Sequence, residues 1–324
     1  MSTKNDILAV LENERERFLS GQELAERLGI SRQAVWKAVK SLKESGHSIL
    51  AVTNKGYKLD AGSDLLSSEG LRANLAQKYK DIPITVLSVT DSTNTQAKKL
   101  AADKAPHGTL LLAEEQTAGR GRSGKSFFSP RGDGLYMSVV LKPRAGMDSP
   151  QMITVAAAVA VCEAIEKLSG LEPQIKWVND VYLNGKKICG ILSEAVTDFE
   201  SGGIESIVVG VGVDCSIKQE SLPTELHGIV GSLGGTVSRS RLAARIAEGI
   251  LESFDDLKSE KLMNEYRKRS LMQGKKITFT RGNESLCATV TGISDCGALL
   301  VRLDNGANEV LTSGEVTLTN YQKE

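Results

Sequence analysis

Glu115-Gln116-Thr117-Ala118-Gly119-Arg120-Gly121-Arg122-Ser123-Gly124-Lys125-Ser126 is the segment whose reading decides the fold. Gly119, Gly121 and Gly124 fit the dinucleotide-binding fingerprint, and Gly119 through Gly124-Lys125-Ser126 fits the P-loop. Both motifs need a strand before them and a helix immediately after, because the helix N-terminus receives the phosphate. A strand precedes this segment, over 108–114. The continuation is Phe127-Phe128-Ser129-Pro130-Arg131-Gly132-Asp133-Gly134, and then another strand. Pro130 and the glycines behind it argue against the helix, so both matches read as false. What survives is a flexible loop carrying Arg120, Arg122 and Lys125, with no acid between Gly119 and Arg131. Backbone N–H groups and guanidinium forks in such a loop can close over polyphosphate. The plain alternative is an exposed basic loop.

Working outward, helices and strands alternate irregularly from Leu71 to about Met272. Strands are expected over 84–89, 108–114, 135–141 and 207–213, and helices over 95–102, 149–168 and 241–257. Several strand pairs are joined by loops too short for parallel crossovers, which predicts a mixed or antiparallel α+β sheet. Asp91-Ser92-Thr93-Asn94 ends the first strand with enough hydrogen-bonding capacity for an amide-like or ureido group; it also suits a helix N-cap. Lys176-Trp177-Val178-Asn179-Asp180 leads into Val181-Tyr182-Leu183, an Asn184-Gly185 turn and Lys186-Lys187-Ile188-Cys189-Gly190. That is a tight hairpin with Lys187 in the return strand, and Gly190 within an apolar strand suggests close approach by a ligand.

The first sixty residues form a different unit. Ser20 and Glu23 make a capping-box pair, Gly29 stops that helix and Ser31 caps the next one. On the helix from Arg32 to about Glu44, Ala34, Val35, Ala38, Val39 and Leu42 share one face. Arg32, Gln33, Trp36, Lys37, Lys40 and Lys43 share the other, and Ser31–Lys43 contains no acid. A hairpin follows with Lys55 at its tip. Turn, basic recognition helix and wing together read as a winged helix that places a helix in the major groove. The candidate DNA-contacting residues are Ser31, Arg32, Gln33, Lys37, Lys40 and Lys55; a solvated basic helix is the plain alternative. Residues 63–68 read as a short polar linker. Near the other end, five short strands punctuated by Gly and Asn, between Lys276 and Leu318, suggest a small SH3-like barrel.

Composition limits the rest. Forty acids balance forty bases in 324 residues, so any nucleic-acid surface must be local. Five cysteines without a CxxC pair suggest reduced thiols, and three scattered histidines suggest no metal site, so none is assigned. The polar N-terminus and the shortness of the apolar stretch near Val155–Cys162 predict a cytoplasmic protein without a membrane span.

Taken together, Asp91-Ser92-Thr93-Asn94, the Gly119–Gly124 loop, Lys176–Asp180, and Gly190-Ile191-Leu192 with Glu194 resemble the bifunctional biotin protein ligases that also act as biotin-operon repressors. The likeness covers the whole chain. It implies a winged helix at 1–62, a ligase core related to class II aminoacyl-tRNA synthetases at 63–272, and the barrel at 273–324. It further implies that ATP, with Mg2+, and biotin give biotinyl-5′-AMP and pyrophosphate. The biotinyl group then passes to a lysine of a biotin carboxyl carrier protein, of acetyl-CoA carboxylase or pyruvate carboxylase. By position, the resemblance assigns Ser92, Thr93, Asn94, Gln116, Arg120, Gly121, Arg122, Lys187 and Gly190 to biotin. It assigns Arg122, Phe127, Asn179 and Lys187 to ATP or the adenylate, and Arg120, Lys187 and Asp180 to catalysis. The adenylate would double as corepressor, ordering the Gly119–Ser126 and Ser216–Gly228 loops and favouring a homodimer on a palindromic operator. The barrel would aid ATP or carrier binding, or serve only as a structural cap. Two positions depart from the family pattern: Val178 stands where proline is usual, and Asp214 where asparagine is usual. A winged-helix P-loop NTPase and a non-enzymatic ligand sensor remain the rival readings.

Overall fold

The computed structural model describes residues 2–143, 150–197, 203–282 and 284–319. Helices α1 (Thr3–Asn13), α2 (Gly21–Leu28) and α3 (Arg32–Glu44) precede the hairpin β1 (Ile49–Val52) and β2 (Gly56–Leu59). Ser20 and Ser31 cap α2 and α3 by accepting from Glu23 N and Ala34 N, and Gly29 closes α2 in the left-handed conformation. Only half of the expected capping box is made, because the Glu23 carboxylate turns to Arg17 and Arg27 instead. Ile7, Leu11, Leu24, Val35, Leu42 and Leu59 close a core private to this unit. Gly56 is obligatory in the wing: its φ is +104°, and a Cβ there would lie 2.1 Å from Leu19 O. That contact exists because Leu19 and Tyr57 exchange backbone hydrogen bonds of 2.8 Å, pinning the wing beneath α2.

Residues 63–68 are not a solvated linker. Ser63, Leu66 and Ser67 are buried, and Ser67 caps α4 (Ser68–Asn74). Asp64 makes the strongest of these attachments. Its Oδ1 accepts from Arg239 N and its Oδ2 from Arg239 Nε, each at 2.9 Å. The same guanidinium donates to Glu114, Gly134 O and Asp64 O, so all five of its N–H groups are used in a nearly dry site. Short polar residues look like linker in a sequence, but here they satisfy buried donors.

The core continues through β3 (Ile84–Leu87), α5 (Thr93–Ala102), β4 (Thr109–Ala113), β5 (Gly134–Leu141), α6 (Pro150–Ser169), β6 (Gln174–Lys176), β7 (Asp180–Leu183), β8 (Lys186–Thr197), β9 (Ile204–Asp214), α7 (Arg239–Phe254) and α8 (Glu260–Arg269). Ser149, the expected start of α6, lies outside the described residues. The sheet order is β3-β4-β5-β9-β8-β7-β6, parallel only between β3 and β4. This is the expected mixed α+β sheet. Strand alternation divides the packing: Val139 and Val209 face the main core with α6 and α7, while Val140 and Val208 meet Ala97 and Ala101 of α5 on the other face.

Strands β10 (Lys276–Arg281), β11 (Glu284–Ile293), β12 (Leu299–Leu303), β13 (Asn308–Leu311) and β14 (Val316–Leu318) form the antiparallel C-terminal barrel, in the order β13-β12-β11-β10-β14. One barrel carbonyl makes two of its bonds to the core: Gly297 O accepts from Trp177 Nε1 and Gln151 Nε2, each at 2.8 Å. Residues 320–324 of the expected domain lie outside the described residues. No helix among the described residues is long and apolar enough to cross a membrane.

Candidate functional site

One cavity of about 430 Å³ opens where α5, the 119–128 loop, the ends of β7, β8 and β9, and the barrel converge. Every residue assigned above to biotin, ATP or catalysis lines it. Its polar end is built by α5, which begins at Thr93, two residues earlier than expected, with Ser92 as N-cap. Thr93 and Asn94 are thereby fixed inside the first helical turn. Asn94 Nδ2 donates to Leu192 O and Glu194 Oε2, and Ser138 Oγ donates to Asn94 Oδ1 at 2.7 Å. Gln116 Oε1 accepts from Thr93 N and Oγ1, and Gln116 Nε2 donates to Ser129 Oγ. This accounting leaves the Ser92 hydroxyl proton and the second Gln116 N–H as donors with no partner among the described residues, and a ureido carbonyl is their natural acceptor.

Glycines make the room. A Cβ at Gly210 would lie 2.2 Å from Asn94 Oδ1, and one at Gly212 would lie 2.6 Å from the Phe127 ring. Gly190 faces the same ring and the Lys187 ammonium, with its Cβ position 3.4 and 3.5 Å from them. Close backbone approach was the expected reason for Gly190; the neighbours are protein side chains at the edge of the cavity.

The other end is cationic. Lys187 Nζ lies 2.7 Å from Asp180 Oδ1, an oxygen that also accepts from Asn179 Nδ2. Arg122 Nη1 donates to Asn179 Oδ1 at 2.9 Å, and Arg120 Nη2 donates to Glu194 Oε2 at 2.7 Å. Burial disfavours charge on Glu194, but hydrogen bonds from Lys98 and Asn94 and the nearby cations outweigh it and hold its pKa below the usual carboxyl range. Lys125, read from the sequence as part of the basic loop but given no ligand of its own, lines the cavity and pairs with Glu315 at 2.7 Å. Glu315 and Gly314 belong to the barrel, so the C-terminal unit supplies part of the wall. Leu222, Leu226 and Ile229 close another side. No motif marks Gly314, Glu315, Leu222, Leu226 or Ile229, and only the fold brings them in.

Asp214, at the end of β9, is 3% exposed. Burial pushes its carboxyl well above the usual range, and the Lys187 charge pulls it only partly back. No cluster of three or more metal-ligating side chains occurs among the described residues. Asp180 shares its Oδ1 with the Lys187 cation, and Asp214 is buried with its carboxyl favoured in the neutral form, so these two carboxylates do not make a resident magnesium site.

A second candidate surface lies on the winged helix. Arg32, Gln33, Lys37 and Lys40 are exposed along α3, opposite the buried Val35, Ala38, Val39 and Leu42, and Lys55 is exposed at the wing tip. Ser31 is at the N-terminus of α3, where its oxygen serves as the cap. Trp36, outside the expected contact set, is 54% exposed on the same face with Lys40 Nζ 5.5 Å from its ring centroid. An exposed tryptophan among lysines was a legible signal.

Known proteins share this plan. The Biotin/lipoate A/B protein ligase family model matches residues 86–214, an HTH domain model matches 3–58, and the biotin protein ligase C-terminal domain model matches 273–318. The bifunctional ligase/repressor BirA of Bacillus subtilis is 31% identical over 96% of this chain and 97% of its own length. That of Escherichia coli is 29% identical over 98% and 97%. The structure of the Aquifex aeolicus biotin protein ligase in complex with biotin and ATP matches with a TM-score of 0.63 at 25% identity, covering 73% of this chain and 98% of that one. A cavity with one polar and one cationic end, a basic winged helix and likeness along almost the entire length have one reading: the chain belongs to the family of bifunctional biotin ligase/repressors.

Proposed function

We propose that this chain activates biotin as biotinyl-5′-AMP, passes the biotinyl group to a lysine of a carboxylase carrier protein, and represses transcription with the same adenylate bound. Family membership makes it a biotin protein ligase with a repressor's DNA-binding domain. The observation that carries the finer reading is the cavity that has unspent donors at Ser92 and Gln116, among the described residues, and Arg120, Arg122 and Lys187 opposite. The first set suits the ureido ring, and the second suits a carboxylate beside a phosphate.

In the first step the biotin carboxylate attacks the α-phosphorus of ATP and pyrophosphate leaves. Two anions must meet, and charge grows on the phosphoryl oxygens as they do. Lys187, held by Asp180, and Arg122, held by Asn179, are already oriented, so no reorganisation is needed when that charge develops. Magnesium enters with ATP as the cation of its phosphates. Phe127, between Gly190 and Gly212, offers a face for adenine.

In the second step the acceptor amine attacks the acyl carbon and AMP leaves. A free lysine has a pKa of about 10.4 and must lose a proton. Among the described residues, Lys187 and Asn179 both meet Asp180 on Oδ1, and Oδ2 is the oxygen that would receive the incoming amine. The adenylate, by closing the Arg120 loop, would favour a homodimer that sets two α3 helices on a palindromic operator. The ligase reading is tested by incubating the chain with biotin, magnesium-ATP and a recombinant biotin carboxyl carrier domain. Mass gain of one biotinyl group on that domain is expected, and none with its acceptor lysine replaced. An unmodified domain contradicts it.

A further inference from the structure

We propose that Glu194 and Lys98 act as a couple that positions Arg120 for the adenylate while leaving its charge unspent. The inference rests on the role given to Arg120 above. Arg120 stands between two glycines on a loop whose backbone is held by Gly121 N donating to Lys125 O and Phe127 N donating to Gly119 O. Such a backbone does little to fix a long side chain with many rotamers. Glu194 supplies the anchor. It lies half-buried on β8, and its own position is set by Asn94 Nδ2 at 2.9 Å on Oε2 and Lys98 Nζ at 2.8 Å on Oε1. Arg120 Nη2 completes the set at 2.7 Å on Oε2.

The charges explain why two residues are needed. A carboxylate alone against Arg120 would fix the guanidinium but cancel the field that an anionic ligand requires. Lys98 restores the balance, since two cations and one carboxylate leave a net positive charge at the rim of the cavity. A guanidinium has five N–H donors, and among the described residues Glu194 takes one of them, so the others can serve carboxylate or phosphate oxygens. Asn94 joins the two ends of the site through the same carboxylate. The hydrogen bonds that lock its amide at the polar end therefore also set where Arg120 points at the cationic end.

The test uses the full-length chain loaded with biotin and magnesium-ATP, and reads the dissociation rate of the retained adenylate, with the KM for biotin and kcat of pyrophosphate release alongside. Arg120→Ala comes first: if it leaves adenylate retention unchanged, the role of Arg120 itself is wrong. If Arg120→Ala matters, Glu194→Gln is expected to speed adenylate loss about tenfold, the scale of one charged hydrogen bond. Glutamine keeps one oxygen, the acceptor that Asn94 and Arg120 share, so the polar end is spared while the charge that holds Arg120 and the Lys98 contact are lost. Lys98→Gln leaves the Glu194 carboxylate to cancel the Arg120 charge and is expected to raise the KM for biotin. Adding Glu194→Gln to it should bring KM back towards that of Glu194→Gln alone. Neither change should have further effect in the Arg120→Ala background, as a coupled set requires. Effects of equal size with and without Arg120 would show a merely structural salt bridge and overturn the proposal. So would variants of Glu194 and Lys98 that retain adenylate as the parent does while Arg120→Ala does not. Thermal unfolding of each variant separates folding losses from these outcomes.

Discussion

Lys187 Nζ and Asp180 Oδ1 are 2.7 Å apart, across adjacent strands of the hairpin turned by Asn184-Gly185. In the proposed mechanism that pair would join the two chemical steps at one point, the cation serving the phosphoryl transfer and the carboxylate the acceptor amine. Asp180→Asn should separate them. Transfer from preformed adenylate is expected to fall about 10²-fold or more, the usual contribution of a positioned acid–base group. Single-turnover transfer to a carrier domain measures it, and a parental rate would remove Asp180 from the second step.

Arg239 is a prediction about stability. It connects Asp64, beside the winged helix, to Glu114 and Gly134 in the sheet, with its side chain only 5% exposed. Arg239→Met strands a buried carboxylate at Glu114 and should cost about 3–5 kcal/mol, the penalty for breaking a buried ion pair from one side. Urea unfolding compares the variant with the parent. A loss under about 1 kcal/mol, the range of exposed pairs, would show that solvent reaches Glu114.

Asp214 makes stability depend on pH. Its carboxyl is raised by burial, so the folded chain keeps this proton to higher pH than the unfolded chain, where the group titrates near about 3.9. The contribution is complete below that value and is lost as pH rises through the folded pKa. Asp214→Asn removes the titration, so the variant should gain on the parent in Tm as pH is raised from about 4 to about 8. A Tm difference that stays constant over this range would mean the carboxylate is already charged in the folded chain.

Trp36 reports on DNA. The chain has two tryptophans, and Trp177 is buried with its N–H on Gly297 O. Emission from Trp36 should therefore change when operator DNA is bound, and Trp36→Phe should abolish the change. The same titration gives the salt dependence, expected near −0.9 in log–log slope per phosphate neutralised. Lys37→Ala should lower that slope by about one such unit. Binding that ignores salt would contradict a basic face on α3.

Much of this was legible where local chemistry is decisive. Ser20, Gly29 and Ser31 mark helix ends because each satisfies or terminates backbone groups with its own atoms, and Asn184-Gly185 sets a hairpin for the same reason. The polar and cationic ends of the cavity stood out because Ser92–Asn94 and Arg120–Lys125 are unusual clusters. What escaped depends on distance along the chain. Residues 63–68 resemble linker until Arg239, 175 positions from Asp64, appears beside them. Helix α8 buries only Leu262, Met263, Tyr266 and Arg269 among charged neighbours, which left no clear apolar period to read. Glu315 and Leu226 reach the cavity wall only because the barrel and the 216–228 loop fold over it.

Pyrophosphate release from the full-length chain with magnesium-ATP, measured with and without biotin and followed by mass analysis of the bound ligand, tests the ligase reading most directly. Release that requires biotin, with biotinyl-5′-AMP retained on the protein, is the predicted result. ATP hydrolysis regardless of biotin, or no turnover with biotin present, would contradict it.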